Sequence, residues 1–179
     1  MTFPDPFKEH RPSIKGTLTG ETIVITGASQ GIGRVIAQWF SNSDASLLLI
    51  ARNETKLQET KEMCHPKAHS RIQLLTHDLT KGPIENTKFS NHNKKPSKLI
   101  SVAGSYLYKT LQETSLSDYQ HQIDVNLFTT VNLVKTFLPS LKYNRSPRII
   151  SIDSIAATKG FGDSGAYASS KHALLGYMR

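Results

Sequence analysis

Short β-branched and apolar runs alternate along this chain with longer stretches in which apolar residues recur every three or four positions. Residues 22–26, Thr-Ile-Val-Ile-Thr followed by glycine, read as a buried strand ending in a tight turn. Ile32, Val35, Ile36, Trp39 and Phe40 then recur at helical spacing. Residues 46–51 make a second strand, and Asn53, a good N-cap, opens a helix carrying Lys56, Leu57 and Met63. A third strand, 71–76, leads to Asp78. Between 80 and 97, Asn, Lys, Ser and Pro dilute the apolar pattern around Ile84 and Phe89, which predicts a distorted helix. A fourth strand, 98–102, ends at Ala103-Gly104. Ser117-Asp118-Tyr119-Gln120 fits a capping box, and Ile123, Leu127, Val131, Val134 and Leu138 supply the stripe of a long helix. Pro147 precedes a fifth strand, 148–152, and a last helix is expected to begin near Tyr167. Strands alternating with helices predict an α/β fold, a parallel sheet covered on both faces.

Composition narrows the class without naming it. The 179 residues suit one domain, expected over 21–179, behind an extended leader at 1–20. With 37% hydrophobic and 20% charged residues the chain has ordinary globular character. No apolar run approaches the ~20 residues that span a bilayer, so no membrane partner is expected. The N-terminus lacks the basic and then apolar pattern of a secretory signal, which makes the cytoplasm the default location. Cys64 is the single cysteine, in keeping with a reducing compartment. The formal charge of +8 is spread from Lys8 to Arg179 without a nucleic-acid motif. It reads as a solvated surface, able to favour an anionic cofactor. Cys64, His65 and His69 have no second ligand pair, and helix-end placement explains them, so no metal is expected.

Chemistry enters at two places. In Thr26-Gly27-Ala28-Ser29-Gln30-Gly31-Ile32-Gly33, glycines between a strand and a helix let the backbone approach a pyrophosphate. The helix N-terminus there offers free N–H groups to the anion. The usual discriminator for NAD is a carboxylate at the end of the second strand. Here that strand ends in Ala51-Arg52, and an arginine suits a 2′-phosphate, so NADP(H) is favoured over NAD(H). The second place is Tyr167-Ala168-Ser169-Ser170-Lys171, downstream of Ser154. Residues four apart share a helix face, which sets a phenol and an ammonium into one cleft. A free phenol, with a pKa near ~10, is a poor base at neutral pH, and a neighbouring cation favours its phenolate. A serine hydroxyl beside it suits orientation of a carbonyl oxygen.

With both motifs in hand, the chain resembles the short-chain dehydrogenase/reductase family over all of 22–179. Thr26 to Gly33 matches the family's Thr-Gly-x-x-x-Gly-x-Gly pattern, and Tyr167 to Lys171 its Tyr-x-x-x-Lys pair. The resemblance implies a Rossmann-type doubly wound sheet and hydride transfer between a nicotinamide and a carbonyl or secondary alcohol. It implies that Asp78 contacts the adenine ring, that Ala103 and Gly104 border the cofactor, and that Asn126 holds a proton-relay water with its helix backbone. By the same resemblance, Ser154 positions the substrate, Tyr167 is the general acid or base and also contacts the cofactor, and Lys171 binds the nicotinamide ribose while favouring the phenolate. It further implies a possible homo-oligomer built on the two helices that follow Asp118 and begin near Tyr167.

Two departures qualify the match. Ser101-Val102-Ala103-Gly104 replaces Asn-Asn-Ala-Gly, which predicts weaker support of the central sheet or of the cofactor. Family members also continue well past the position of Arg179, so the last strands and a substrate lid are expected to be lacking and the fifth strand to form an edge. The alternative to an active oxidoreductase is therefore a catalytically silent nucleotide-binding form.

Overall fold

β1 (Thr22–Thr26), buried along its whole length, runs through the middle of the computed structural model, which describes residues 18–85 and 95–179. It pairs in parallel with β2 (Ser46–Ala51) on one side and β4 (Lys98–Ser101) on the other. β3 (Ile72–Thr76) lies outside β2 and β5 (Arg148–Ser151) outside β4, giving the order β3-β2-β1-β4-β5. Successive side chains of a strand face opposite ways. Ile23, Ile25, Leu47 and Leu49 accordingly enter one apolar cluster, and Val24, Leu48, Ile50 and Leu99 enter another. α1 (Gly31–Phe40) and α2 (Glu54–Glu62) close the first cluster through Ala37 and Leu57. α4 (Thr129–Leu141) closes the second through Leu133 and Phe137. This is the expected α/β Rossmann-type doubly wound sheet with helices on both faces. β5 forms one edge, where Ile150 is exposed.

The helices depart from the expected pattern in ways that packing explains. On α1 the largest apolar residues are not the buried ones: Ile32 and Val35 face solvent, while Gly33 and Ala37 are buried and Ile36 and Phe40 pack against the core. Small residues let the helix approach the sheet, and that contact sets the rotation. Asn53 does cap α2, accepting from Lys56 N, but Met63 falls at the C-cap and is exposed. The capping box lies two residues earlier than Ser117 to Gln120. Ser115 caps α3 (Leu116–Ile123) by accepting from Asp118 N at 3.1 Å, and the Asp118 carboxylate accepts from Ser115 N at 2.9 Å.

The long helix is interrupted by a π segment, Asp124–Phe128, before α4 begins. The wider turn rotates everything after it. The buried row becomes Val125, Thr129, Leu133, Phe137 and Leu141, with Val134 beside it. Of the other expected positions, Ile123, Leu127 and Val131 are only half-buried and Leu138 is exposed. The distorted helix expected over 80–97 is not present in the described part: Leu79–Lys81 makes one 3-10 turn, 82–85 and 95–97 are irregular, and 86–94 lie outside the described residues. The leader at 1–20 is described only as a turn over 18–20. Three strand bounds move inward by one residue. Arg71 closes a 3-10 turn (Pro66–Arg71), β4 stops at Ser101, and β5 stops at Ser151. α5 (Gly165–Met178) packs on α3 and on the π segment. Among the described residues no helix is long and apolar enough to cross a membrane.

The Lys109 ammonium, then the Ser115 amide and hydroxyl, hold the Asp118 carboxyl down at about 2. A depressed folded-state pKa contributes stability that is complete above the ordinary carboxylate value of ~3.9 and is lost as pH falls toward the folded value. Ser115→Ala is expected to lower the unfolding free energy by about 1 kcal/mol at neutral pH. Asp118→Asn should also destabilise there, but its deficit in urea melts should shrink as pH falls from ~4 toward the folded value. A deficit independent of pH would contradict the pairing.

Candidate active site

Strand order reverses between β1 and β4, and the crevice opens beyond their carboxyl ends. The Thr26 hydroxyl closes the sheet at that point by accepting from Val102 N at 3.0 Å and Ala103 N at 3.2 Å. Gly27 follows with φ +64°, and a Cβ there would stand 2.9 Å from Ala103 N. Gly33, on the first turn of α1, lies against Gly27, whose carbonyl oxygen a Cβ at residue 33 would strike. The space these approaches leave is a cleft of about 490 Å³.

Thr26, Gly27, Ser29, Gln30, Gly31, Ile32 and Gly33 line the cleft, together with Arg52, Asp78, Ala103 and Gly104. The expected cofactor residues thus meet at one place, with Tyr167 and Lys171 outside its lining. Gln30 supplies no side-chain cap to α1 and the first turn holds no acidic residue, so the helix N-terminus presents uncapped N–H groups and its partial positive charge. Asn53, Lys56, His77, Thr80 and Val125 also line the cleft and are additions to the expected set. Lys56 was legible in principle, since it stands one turn behind the Asn53 cap and so at the same end of α2. Asp78 Oδ1 accepts from Thr80 N at 3.0 Å and from the Thr80 hydroxyl at 2.7 Å. Burial pushes its carboxyl up, but those bonds, with Arg52 and Lys81 nearby, leave it below the ordinary range.

The four catalytic candidates lie on elements that pack together: Ser154 follows β5, Tyr167 and Lys171 are on α5, and Asn126 is in the π segment. Lys171 is buried on α5 and its ammonium donates to Ile152 O, just past β5, at 3.0 Å. Burial pushes its pKa down, partly opposed by the Asp153 carboxylate. The ammonium stands 6.0 Å from the centroid of the half-buried Tyr167 ring. Among the described residues no hydrogen bond occupies the Tyr167 hydroxyl. Ser154 caps a 3-10 turn (Ile155–Ala157) packed on α5, its hydroxyl accepting from Ala156 N at 3.1 Å.

Asn126 is buried inside the π segment and its side chain is fully engaged. Nδ2 lies 3.0 Å from Ser105 O, Gln122 Oε1 and Ser170 Oγ, and Oδ1 accepts from Ser105 N at 3.0 Å. Asn126 thereby ties the loop after β4 to the helix bearing Tyr167. Two residues that sequence reasoning passed over sit here: Asp153, facing Lys171, and Tyr106, whose ring meets Tyr167 edge-on at 4.8 Å. The replaced asparagines leave no gap. Ser101 is buried with its hydroxyl 2.7 Å from that of Thr130 on α4, and Val102 packs against the core. Cys64 is buried beyond α2, His65 caps the following 3-10 turn, and His69 Nε2 lies 3.2 Å from Cys64 O.

The short chain dehydrogenase family model matches residues 21–179, and the chain belongs to that family. Dehydrogenase/reductase SDR family member 6 of Rattus norvegicus is 31% identical over 165 residues, covering 92% of this chain and 64% of its own length. The protein of the same name in Xenopus laevis is 32% identical over 166 residues with the same coverage, 92% and 64%. The chain thus spans under two thirds of the length of these relatives. Among solved structures, a short chain dehydrogenase from Salmonella enterica superposes with a TM-score of 0.81 at 27% identity, over 90% of this chain and 69% of that one. One from Escherichia coli CFT073, complexed with NADPH, gives 0.80 at 26%, over 90% and 70%.

The two left-handed glycines flanking β1 separate backbone conformation from close approach. Gly27→Ala should cost about 1–3 kcal/mol of unfolding free energy, because the positive φ and the clash with Ala103 act together. Gly20→Ala has a similar φ of +81° but meets nothing within 4 Å, so denaturant melts should show a smaller loss. Equal losses at both would contradict the close packing of β1 on β4.

Proposed function

We propose that this chain binds NADP(H) in the cleft and acts as an oxidoreductase on a carbonyl or secondary alcohol, with Tyr167 as general acid in reduction and general base in oxidation. The observation that carries the reading is the gathering of both motifs on one edge of the sheet. The glycine turn follows β1, Arg52 follows β2, Asp78 follows β3, Ala103 and Gly104 follow β4, and Ser154 follows β5.

The donor set fits a dinucleotide carrying a 2′-phosphate. Uncapped amides of the turn and of α1 suit the pyrophosphate. Arg52 and Lys56 border the cleft, and no carboxylate closes β2. Asp78, kept ionised and fixed by Thr80, is suited to accept from an exocyclic amine. A dinucleotide held in the cleft would supply or accept the hydride through its nicotinamide. The Tyr167 hydroxyl passes its proton to the carbonyl oxygen in one direction and recovers it in the other. The Ser154 hydroxyl holds that oxygen. The Lys171 ammonium, fixed by Ile152 O beside the Tyr167 ring, would hold the nicotinamide ribose. Asn126 acts on this site by holding α5, and its backbone in the π segment suits a relay water.

Tyr167→Phe removes the proton donor and little else, since the ring packing on Tyr106 remains. Cofactor oxidation against a panel of ketones and aldehydes is expected to fall at least ~100-fold while NADPH affinity, by calorimetry, stays within about twofold. Turnover that survives the substitution would sink the assignment.

Arg52→Asp should reverse the cofactor preference, weakening NADPH by about 1–2 orders of magnitude and sparing NADH. Equal weakening of both would remove Arg52 from 2′-phosphate recognition.

A further inference from the structure

Arg34 stands just past the glycine turn on α1, yet its side chain reaches back over that turn. Nη2 donates to Ser29 O at 2.6 Å and to the Glu59 carboxylate at 3.1 Å, and Nε donates to the Thr60 hydroxyl at 3.0 Å. Thr60, fully buried on α2, has its hydroxyl 2.9 Å from Ala28 O and 2.9 Å from Lys56 O of its own helix, so the two carbonyls share one donor. The Lys56 ammonium lies 3.3 Å from Gln30 Oε1. Three consecutive turn residues, Ala28, Ser29 and Gln30, are therefore each bonded from α2 or from Arg34.

The carbonyl of a trans peptide points opposite to the following N–H. Drawing the carbonyls of Ala28 and Ser29 toward α2 turns the N–H groups of Ser29 and Gln30 away from it, and both residues line the cleft. The same bonds fix α2, whose first residues follow Arg52. The guanidinium itself is directed at carbonyl, hydroxyl and carboxylate acceptors of the protein, so its fork geometry is used to hold elements rather than ligand.

We propose that Arg34 and Thr60 are positioning residues that set the spacing between the two anion-binding ends of the cleft, the amides of the glycine turn and the basic start of α2. The inference rests on the NADP(H) reading above. A dinucleotide bearing a 2′-phosphate must meet both ends at once, whereas one without it draws mainly on the turn. Loosening the clasp therefore weakens NADPH more than NADH. General destabilisation of the chain has no reason to change that ratio.

Calorimetric titration of the purified chain with NADPH and with NADH, for the wild type, Arg34→Met, Arg34→Lys and Thr60→Val, tests this. Arg34→Met is expected to lower the NADPH-to-NADH affinity ratio about tenfold, and Thr60→Val to lower it several-fold in the same direction. Arg34→Lys keeps the charge but loses the fork, so its ratio should fall between wild type and Arg34→Met. If circular dichroism shows Arg34→Met unfolded, Arg34→Lys and Thr60→Val decide the matter. A wild-type chain that prefers NADPH, with the ratio unmoved in the folded variants, overturns the clasp alone. A wild-type chain that binds neither dinucleotide overturns the cofactor reading and the clasp with it.

Discussion

One buried hydroxyl, that of Thr26, holds the central crevice in its shape. Where β1 and β4 cease to pair, the backbone amides of the half-buried Val102 and Ala103 turn to a side-chain acceptor at the wall of the cleft. Thr26 Oγ1 takes both. Each such hydrogen bond contributes about 0.5–1.5 kcal/mol net, so the clasp they form favours ending the two strands here. It also brings Gly27 against Ala103, and only a residue without a side chain fits that approach. The glycine turn, the opening of the cleft and the placement of Ala103 and Gly104 follow from it.

Burial on both faces made the sheet the most legible part of the sequence. Strands such as Thr22–Thr26 and Ser46–Ala51 must be apolar on both sides, and an unbroken β-branched or leucine run records that requirement directly. The helices were less legible because side-chain size and burial separate at close contacts. On α1, Gly33 and Ala37 approach the sheet and the bulkier Ile32 and Val35 are turned outward, so of the apolar stripe only part, including Ile36 and Phe40, packs on the core. The long helix failed for a different reason: one wide turn at Asp124–Phe128 shifts the phase of every residue after it, and no local propensity marks such a turn.

The site was legible to the extent that its residues follow strands directly. Arg52 was read from its place after the second strand, whereas Asp78 and Ala103-Gly104 were named from the family resemblance; the parallel sheet brings all of these strand ends to one side. What escaped were residues that act through others. Arg34 and Thr60 are 26 residues apart, meet only because α1 and α2 cover the same face of the sheet, and look like ordinary helix-surface residues in the sequence. Asn126 was recognised, but its hydrogen bonds to Ser105 and Ser170 depend on a loop and a helix whose packing becomes visible only in three dimensions.

α5 shows why those polar ties matter. Its buried residues, Ala166, Ala168, Ser170, Lys171 and Leu174, include only one large apolar side chain, so burial supplies little to fix its rotation. At roughly 25 cal/mol per Å² of apolar surface, a face of alanines and serines gives only a weak preference for one orientation over its neighbours. Directional bonds supply the difference: Asn126 to Ser170 on one side and Lys171 to Ile152 O on the other. Removing the acceptor from a buried ammonium would leave a charge out of water with little compensation, so the Lys171 bond strongly resists rotation. Because Tyr167 lies one turn from Lys171, the contact that gives the buried ammonium its acceptor also helps fix the direction in which the phenol faces.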